Sequence, residues 1–358
     1  MAGATAAAIN AALSLILFGS PEMQFRTDVI GLALIGVEPG QGANCVVPVK
    51  IDGRNTAAPH AEGDDAESGD YSTHTRKQAT TEWAEYWAFA LVTGKAEAIA
   101  ASGGYAGGNL IAEEVRDALN ELSVKLGAHF YAGNHLATPP ELAGAALAVD
   151  GSDDNFAGID TGDYTSWKAG EATVASASLT VAWIRENLFR PVKNATGRNP
   201  EYVTTTGALM DQLKALIGAN AEVVTTITTS GGGKVEIAQD FGATAIRIDG
   251  VPFVEDRHCT AGTMYAWGRD AVKFRQLRKP LDADATPAEI QQAILQLTNQ
   301  DIPLSMVETM IRAMNGATTI VPTIEALAKT GDSRKFMIGV KGQLAWKRRN
   351  ALAKAVIT

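Results

Sequence analysis

Five histidines and two cysteines are the residues whose chemistry would first suggest metal binding. The histidines are His60, His74, His129, His135 and His258. No two of them have the i, i+4 spacing that places two ligands on one helix face. Cys45 and Cys259 lie far apart in unlike contexts, which supports neither a disulfide framework nor a cysteine metal cluster. The sequence predicts no metal site and no cofactor, and it fits a reducing compartment.

The neighbours His258 and Cys259 raise the question of a thiol nucleophile. Adjacent side chains on a strand point to opposite faces, so this pair cannot readily share a proton. The chain has no Gly-x-Ser-x-Gly elbow, and no two carboxylates have a spacing that implies acid and base roles. These patterns favour a protein that is not an enzyme.

Two glycine-rich segments invite a phosphate-binding interpretation. In Ser230–Lys234 the lysine is followed by Val235, and Thr228 stands where the first glycine of a P-loop should be. Without the hydroxyl after the lysine there is no magnesium ligand, so this segment predicts a hairpin turn. Gly103–Gly108 does not fit Gly-x-Gly-x-x-Gly and follows a segment too polar for a buried Rossmann strand. It is predicted to be a linker.

Charge and composition narrow the class of protein further. The chain has 358 residues, 46% hydrophobic and 20% charged, which is typical of one large or two ordinary globular domains. Its 31 Lys and Arg against 40 Asp and Glu give a net charge of −9. Such an acidic chain is poorly suited to nucleic-acid binding as its main function, because that requires positive charge to contact the phosphate backbone.

The first residues predict a short amphipathic helix. Ile9, Leu13 and Ile16 or Leu17 recur at helical spacing in an alanine-rich stretch, and Gly19 begins the segment that ends it. The apolar stretch Leu13–Phe18 has no preceding Lys or Arg and is too short to span a bilayer, which argues against a signal peptide or membrane anchor. A free helix of this kind needs a surface to lie against.

The next segment predicts a long hairpin. Asn44–Ile51 alternates as a strand, and Pro48 suggests that it is an edge strand. The stretch Asp52–Thr81 is acidic without large aliphatic residues, although Ser72–Thr81 alternates like a returning strand. Two interpretations stay open: a hairpin resting on another surface, in this chain or in a neighbouring copy, or a flexible acidic loop.

A strand and a long helix are predicted to form the core that follows. Trp83–Val92 alternates with Trp83, Trp87, Phe89 and Leu91 on one side, which predicts a half-buried strand whose aromatic side enters the core. A helical repeat then predicts a helix over 109–131. The repeating residues are Ile111, Val115, Leu119, Leu122, Leu126 and Phe130.

The second half of the sequence predicts a mixed α+β unit and a basic end. Strands and a helix alternate over 200–270, and two capping boxes predict three short helices within 284–331. The end is strand-like and basic, with no acidic residue after Asp332. Lys347, Arg348 and Arg349 could touch nucleic acid, but they divide between two faces of a strand, and pairing with an acidic neighbouring subunit fits at least as well.

The order of these parts resembles the major capsid proteins of tailed bacteriophages, which share the Hong Kong 97 fold. The resemblance covers nearly the whole chain, and because each motif is short, its specificity lies in their order. The motifs are Trp83–Val92 before a glycine-rich link, Asn109–Tyr131, Phe156–Asp160 followed by Trp167, Asn199–Thr204, Gly250–Asp256 followed by Gly262–Tyr265, and Gly342–Ala351.

The resemblance implies an α+β fold with an N-terminal arm, an extended β-hairpin loop, a peripheral domain built on a spine helix, and an axial domain. The expected ranges are 1–41 for the arm, 42–82 for the hairpin loop, 83–198 for the peripheral domain with its spine helix 109–131, 199–280 for the axial domain, 281–333 for a helical insertion, and 334–358 for a C-terminal strand returning to the peripheral domain. Too little chain precedes Asn44 for the fused scaffolding segment of some relatives. A cross-linking Lys and Asn pair, present in other relatives, cannot be assigned here.

The function implied is a structural coat protein that assembles into pentamers and hexamers of an icosahedral virion shell, in the host cytoplasm and without a membrane. Its partners would be further copies, a separate scaffolding protein, a portal and, in some relatives, decoration proteins, around double-stranded DNA that it does not bind specifically. The alternatives are an encapsulin-like compartment and, from another class, an α/β enzyme with an unrecognised site. Candidate subunit-interface residues are Asp64, Asp65, Glu67, Arg76, Lys77, Lys347, Arg348 and Arg349.

Overall fold

The computed structural model describes residues 30–53, 74–93, 110–152, 155–218, 222–223, 226–228, 234–236, 245–278, 286–298, 303–315, 320–327 and 333–358. Helix α1 is Ile30–Ile35, and strand β1 is Val37–Pro39. Strands β2 (Cys45–Gly53) and β3 (His74–Thr81) pair antiparallel. They form the described stem of the predicted hairpin.

A five-stranded sheet is built around one long strand near the C-terminus. Strand β17 (Ser333–Trp346) pairs antiparallel along one edge with β4 (Ala84–Thr93). Its other edge pairs with β15 (Val272–Gln276) and with β16 (Thr323–Leu327), both antiparallel. Strand β1 adds to β15 in parallel.

The long helix α2 (Leu110–Ala132) covers one face of this sheet by packing on β4. It lies where the sequence predicts a helix over 109–131. Its buried residues include Val115, Leu119, Leu122, Leu126 and Phe130. A helix of this length spans about 35 Å at 1.5 Å per residue, which is about the length of the ten-residue strand β4.

The alternation predicted for Trp83–Val92 is present, but the prediction of which side is buried is wrong. Ala84, Ala88 and Ala90 face α2 and are buried, whereas Phe89 is 65% exposed and Leu91 is 50% exposed. The small side chains allow α2 to lie close to the sheet, so the aromatic side faces outward. Alternation defines two faces without saying which one meets the core.

A seven-stranded sheet forms the second layered unit. Its spatial order is β7 (Gly170–Val174), β18 (Leu352–Ile357), β14 (Thr263–Trp267), β8 (Tyr202–Thr205), β13 (Val251–Glu255), β12 (Ala245–Ile248) and β9 (Glu222–Val223). Strands β7 and β18, and β8 and β13, pair in parallel, and the remaining neighbours are antiparallel.

The helices around the second sheet extend the unit beyond its expected limits. After the short helix α3 (Ala145–Ala148), α4 (Val181–Ile184) continues through one π-helical turn, Arg185–Phe189, into α5 (Arg190–Thr196). Helix α6 is Gly207–Ile217. Buried residues of 174–192 share one core with strands β8, β12 and β13. The boundary expected at residue 199 therefore falls inside this unit rather than between two units.

Two further expectations about the second half need correction. Within its described residues, the segment expected to hold three helices has two, α7 (Pro287–Thr298) and α8 (Leu304–Asn315), and Thr323–Leu327, expected to be helical, form strand β16. Its β-branched residues Thr323 and Ile324 suit the ladder that β16 forms with β17. The expected C-terminal strand over 334–358 is two strands: β17 lies in the five-stranded sheet and β18 in the seven-stranded one.

Short two-stranded pairs complete the described strands. They are β5 (Asn155–Phe156) with β6 (Ile159–Asp160), and β10 (Thr226–Thr228) with β11 (Lys234–Glu236). The second pair flanks the predicted turn Ser230–Gly233. The turn itself lies outside the described ranges.

Candidate assembly surfaces

A buried carboxylate after β13 joins helices α1 and α2 to the seven-stranded sheet. Asp256 is 1% exposed, and its Oδ2 accepts hydrogen bonds from the Gly31 backbone N–H at 2.9 Å and the Tyr131 hydroxyl at 2.8 Å. Its Oδ1 accepts from the His258 N–H at 2.9 Å. Burial, together with the charge of Asp256, holds the pKa of Tyr131 well above its usual range, so the phenol keeps its proton as a donor. The carboxylate fixes α1 against the end of α2.

The hairpin stem rests on its own chain. Val47, Val49 and Ile51 are buried on one face of β2, while Pro48 is exposed. The Ser166 hydroxyl donates to the carbonyl of Ile51. These contacts favour the interpretation in which the hairpin rests on a surface, and for the buried face of Cys45–Ile51 that surface is intramolecular.

Two of the five interface candidates in the hairpin lie on a described strand. Arg76 and Lys77 are exposed on β3, and Lys77 places its Nζ 5.2 Å from the centre of the Tyr164 ring. Lys77 thus has a cation–π partner in its own subunit. Asp64, Asp65 and Glu67 lie outside the described residues.

The three basic residues near the C-terminus do not form one cluster. Lys347 pairs with Glu38 of the same chain at 2.5 Å. Arg349 is 2% exposed: its Nε donates to the Ala148 carbonyl at 2.6 Å, and its guanidinium lies 4.6 Å from the centre of the Phe156 ring. Burial lowers the pKa of Arg349 to about 10, which leaves it charged at neutral pH. Arg349 is therefore a core residue, and the expectation that it contacts a neighbouring subunit is wrong.

Arg348 instead belongs to an arginine cleft that the sequence did not reveal. Its Nη2 donates to the Ala195 carbonyl at 2.9 Å, and it lines a cleft of about 550 Å³ together with Arg198 and Arg269. Two carboxylates, Glu201 and Asp270, also line the cleft, and Asp270 pairs with Arg269 at 3.8 Å and with Lys273 at 3.0 Å. The three guanidinium groups come from three separate loops, so no local sequence pattern could have grouped them. With three guanidinium groups against two carboxylates, the cleft keeps an excess of positive charge that suits the carboxylates of an acidic partner.

The outward face of the five-stranded sheet carries an apolar patch, here called the β4 patch. Cross-strand register places Phe89 opposite Met337 and Leu91 opposite Lys335, and Lys335 is opposite Leu327 on β16. The members of the patch are Trp87, Phe89, Leu91, Met337 and Leu327. Leu327 is 36% exposed.

Trp87 forms the covered end of the β4 patch. A Cβ at Gly339 would lie 2.2 Å from its ring, so glycine is required for the indole to cross β17. Lys341 Nζ lies 5.1 Å from the centre of the same ring. The rest of the patch, around Phe89 and Leu91, is open.

The cysteines and His129, which could in principle do chemistry, lie in structural surroundings. Cys45 and Cys259 are buried free thiols, and burial raises the pKa of both. The Tyr86 hydroxyl and His129 Nδ1 are hydrogen-bonded at 2.9 Å. Within the described ranges, no group of three His, Cys, Asp or Glu side chains could hold a metal ion. No described helix combines the length and apolar composition that a bilayer crossing requires.

Solved structures similar to this chain show its fold. The capsid asymmetric unit of cyanophage A-1(L) is 16% identical, with 89% of each chain covered and a TM-score of 0.61. A chain in the solved structure of Mycobacterium phage Bobi is 10% identical, with 93% of this chain and 91% of that chain covered and a TM-score of 0.51. The holo-SrpI encapsulin complex of Synechococcus elongatus PCC 7942 is also 10% identical, with 90% and 85% covered and a TM-score of 0.53. The fold is the Hong Kong 97-like capsid fold.

The sequence profile of the SU10 major capsid protein family matches residues 46–358. The chain belongs to this family and is a bacteriophage major capsid protein. No curated protein matches the chain. The resemblance noted in the sequence is thereby confirmed at the level of family and fold.

Proposed function

We propose that this capsid protein assembles into pentamers and hexamers of an icosahedral shell that encloses viral double-stranded DNA. The observation that supports this most strongly is the family match over residues 46–358. Assembly takes place in the host cytoplasm with a separate scaffolding protein and a portal, and decoration proteins bind the finished shell in some relatives. The subunit acts structurally rather than as an enzyme. The five-stranded sheet with α2 corresponds to the peripheral domain, and the seven-stranded sheet to the axial domain.

Particle formation tests this function directly. The chain is expressed alone and with phage assembly factors, and the products are examined by size-exclusion chromatography and electron microscopy. Closed shells with pentameric and hexameric units are expected. A subunit that stays monomeric at high concentration, even with those factors, would contradict the proposal.

An encapsulin-like compartment is the second candidate, supported by the similarity to the holo-SrpI encapsulin complex. The cyanophage capsid has the higher TM-score, 0.61 against 0.53, which favours the viral shell. Purified, nuclease-treated particles separate the two. Protected DNA is expected for a virion shell, and protein cargo without DNA for a compartment.

The acidic hairpin loop is proposed to lie over a neighbouring subunit and to place Asp64, Asp65 and Glu67 against its arginine cleft. The cleft offers Arg198, Arg269 and Arg348, three guanidinium groups on one surface. Each exposed ion pair contributes only about 0–1 kcal/mol, but a closed shell repeats the contact at every equivalent interface.

Charge reversal tests this pairing. Changing the three acidic residues to Lys, or the three arginines to Glu, should each reduce particle yield, and combining both sets should restore it. Changing the exposed Asp117, Glu121 and Asp211 together to Lys is the matched control and should leave the yield unchanged. Normal particles from either single set would refute the pairing, while the subunit's circular dichroism verifies that each variant folds.

A further inference from the structure

The arginine cleft is adjacent to a second, smaller cleft. The second cleft has a volume of about 270 Å³, and both clefts have Asn199 as a lining residue. Arg185, Arg190 and Lys193 also line the second cleft, and one of its walls is the π-helical turn Arg185–Phe189. Turns of this kind occur often at functional sites. The two clefts together form an elongated basic surface, here called the basic trough.

Three cations of the basic trough have no carboxylate partner in the described part of the chain. They are Arg198 and Arg348 in the arginine cleft and Lys193 in the second cleft. Arg348 donates a hydrogen bond to the Ala195 carbonyl at 2.9 Å, which positions its guanidinium and uses one of the five N–H donors that arginine has. All three side chains are exposed, so a ligand can reach them.

Two carboxylates of the basic trough are held by other cations. Asp249 accepts a hydrogen bond from Arg185 at 2.7 Å, and Asp270 pairs with Lys273 at 3.0 Å. Glu201 is the remaining carboxylate of the lining. Each cleft is lined by three cations, against two carboxylates in the arginine cleft and one in the second. Positive charge is therefore in excess, and a ligand that neutralises it must bring several negative charges.

The lining also restricts the chemistry of the ligand. Every residue that lines the arginine cleft is polar, and the second cleft adds one aromatic residue, Phe189, which is 4% exposed. A nucleobase or another flat apolar group therefore has no exposed ring on which to stack. Guanidinium groups bind phosphate oxygens bidentately, and a chain of linked phosphates carries negative charge along its whole length. An elongated basic surface suits such a chain better than it suits one compact anion.

We propose that the basic trough binds a polyphosphate chain. Arg198 and Arg348 bind phosphate oxygens in the arginine cleft, Lys193 binds those in the second cleft, and Asn199 lies between them as a neutral donor. Inorganic polyphosphate and the phosphate tail of a nucleoside triphosphate share this chemistry. The site lies within one subunit, and the acidic hairpin loop proposed above to contact the same arginines comes from a neighbour. The ligand therefore occupies the trough of the unassembled subunit.

Isothermal titration calorimetry of the unassembled full-length subunit tests this site, with sodium tripolyphosphate as the probe. Saturable binding of one tripolyphosphate per subunit is expected. The absence of saturable binding would overturn the proposal. Because no assembly step is involved, this failure is distinct from a failure of the protein to form shells.

Three further probes define what the trough recognises. ATP should bind within about threefold of tripolyphosphate, because no exposed ring lines the trough. Citrate, a compact tricarboxylate, should bind about tenfold more weakly or worse. A marked preference for ATP would indicate a base pocket, and citrate binding as tightly as tripolyphosphate would indicate a carboxylate site. Short duplex DNA binding as tightly would indicate a general phosphate surface, and each of these three results would overturn the proposal.

Charge-removing variants locate the site. Arg198→Gln with Arg348→Gln should weaken tripolyphosphate binding by about tenfold or more, because it removes two of the three unpaired cations. Arg116→Gln with Lys125→Gln is the matched control, since both residues are exposed on α2 outside the trough and the net charge changes equally. The control should bind like the wild type. Equal weakening in the two double variants would show diffuse attraction to the charge of the subunit and would overturn the site.

Lysine variants separate guanidinium geometry from charge. Arg198→Lys with Arg348→Lys keeps both charges and loses the planar forks, so the affinity for tripolyphosphate should fall by about threefold or more. Both positions are exposed, and the circular dichroism spectrum verifies that each variant folds. An affinity equal to that of the wild type would show binding by charge alone and would contradict phosphate recognition by the two arginines.

Discussion

The hydroxyl of Tyr131 donates a 2.8 Å hydrogen bond to the carboxylate of Asp256, although the two residues are 125 positions apart. Tyr131 lies in the last turn of the long helix that packs on the five-stranded sheet, and Asp256 follows a strand of the seven-stranded sheet. Both side chains are almost fully buried. The same carboxylate binds the backbone of Gly31, so one acidic residue fixes three separate parts of the subunit.

This buried network predicts a graded loss of stability. Tyr131→Phe removes one donor and should lower the free energy of unfolding by about 1.5–3 kcal/mol, the usual range for a hydrogen bond to a charged group. Asp256→Ala should cost at least about 3 kcal/mol, because it leaves the Gly31 N–H, the Tyr131 hydroxyl and the His258 N–H without their acceptor. Urea unfolding of the unassembled subunit measures both.

The matched control for this network is Tyr164→Phe. Tyr164 is half-buried, and its ring, rather than its hydroxyl, contacts Lys77. The urea midpoint of the Tyr164→Phe variant should stay close to that of the wild type. A Tyr131→Phe variant as stable as this control would contradict the role given to the hydrogen bond.

Arg349 is predicted to be required for folding rather than for assembly. Arg349→Lys keeps the charge but loses the Nε–H donated to Ala148 and the planar contact with Phe156, so it should destabilise the subunit by about 2–4 kcal/mol. Arg348→Lys, at the adjacent exposed position, should change stability by less than about 0.5 kcal/mol. Equal unfolding midpoints for the two variants would show that Arg349 is not the core residue described.

Sequence periodicity predicted the strands and the long helix well because both signals are local. It could not predict the orientation of β4, since the choice of face depends on what packs there. Aromatic residues suggest burial, yet α2 approaches the alanine face, where small side chains allow close packing. Phe89 and Leu91 then face outward. In an isolated chain they leave apolar surface exposed to water, whereas in an assembled shell that surface can be buried against a neighbour.

The candidate surfaces show the same limit. Lys347, Arg348 and Arg349 were grouped because they are adjacent in sequence, but the structure gives them an ion pair, a cleft and a buried position respectively. Arg198 and Arg269 join Arg348 only through tertiary folding. What sequence order did predict was the fold family, because the order of many weak motifs carries more information than any one of them.

A pH dependence is expected from His129. Burial lowers its pKa, with Glu141 raising it and Lys125 lowering it. The Leu142 N–H donates to the Tyr86 hydroxyl, which can then donate to the neutral imidazole. As pH falls below about 6.5, the unfolded chain takes up the proton before the folded one. Stability from the neutral histidine is therefore fully present above that pH and decreases as the solution becomes more acidic.

Urea unfolding at pH values above and below this window measures the effect. Wild-type stability should fall on acidification, and His129→Gln should reduce the fall. Burial also lowers the pKa of His135, which contributes with the same sign, so the double variant with His135→Gln should show a smaller dependence still. If all three proteins had the same pH dependence, the assignment to these histidines would be wrong.

The last prediction concerns DNA. Each phosphate neutralised by a basic residue adds affinity through counterion release, and a shell wall that held duplex tightly would retard packaging and ejection. The chain has a net charge of −9, Lys347 is paired with Glu38, and Arg349 is buried, so only Arg348 of the three stays exposed. We therefore expect the isolated subunit to bind duplex DNA with a dissociation constant above about 10 μM at physiological salt, within the usual non-specific range.

A gel-shift titration at low and physiological salt tests this expectation, with Lys347→Gln, Arg348→Gln and Arg349→Gln examined singly and together. Tight binding that survives physiological salt and disappears in the triple variant, while Arg349→Gln alone still folds, would make these residues a DNA site.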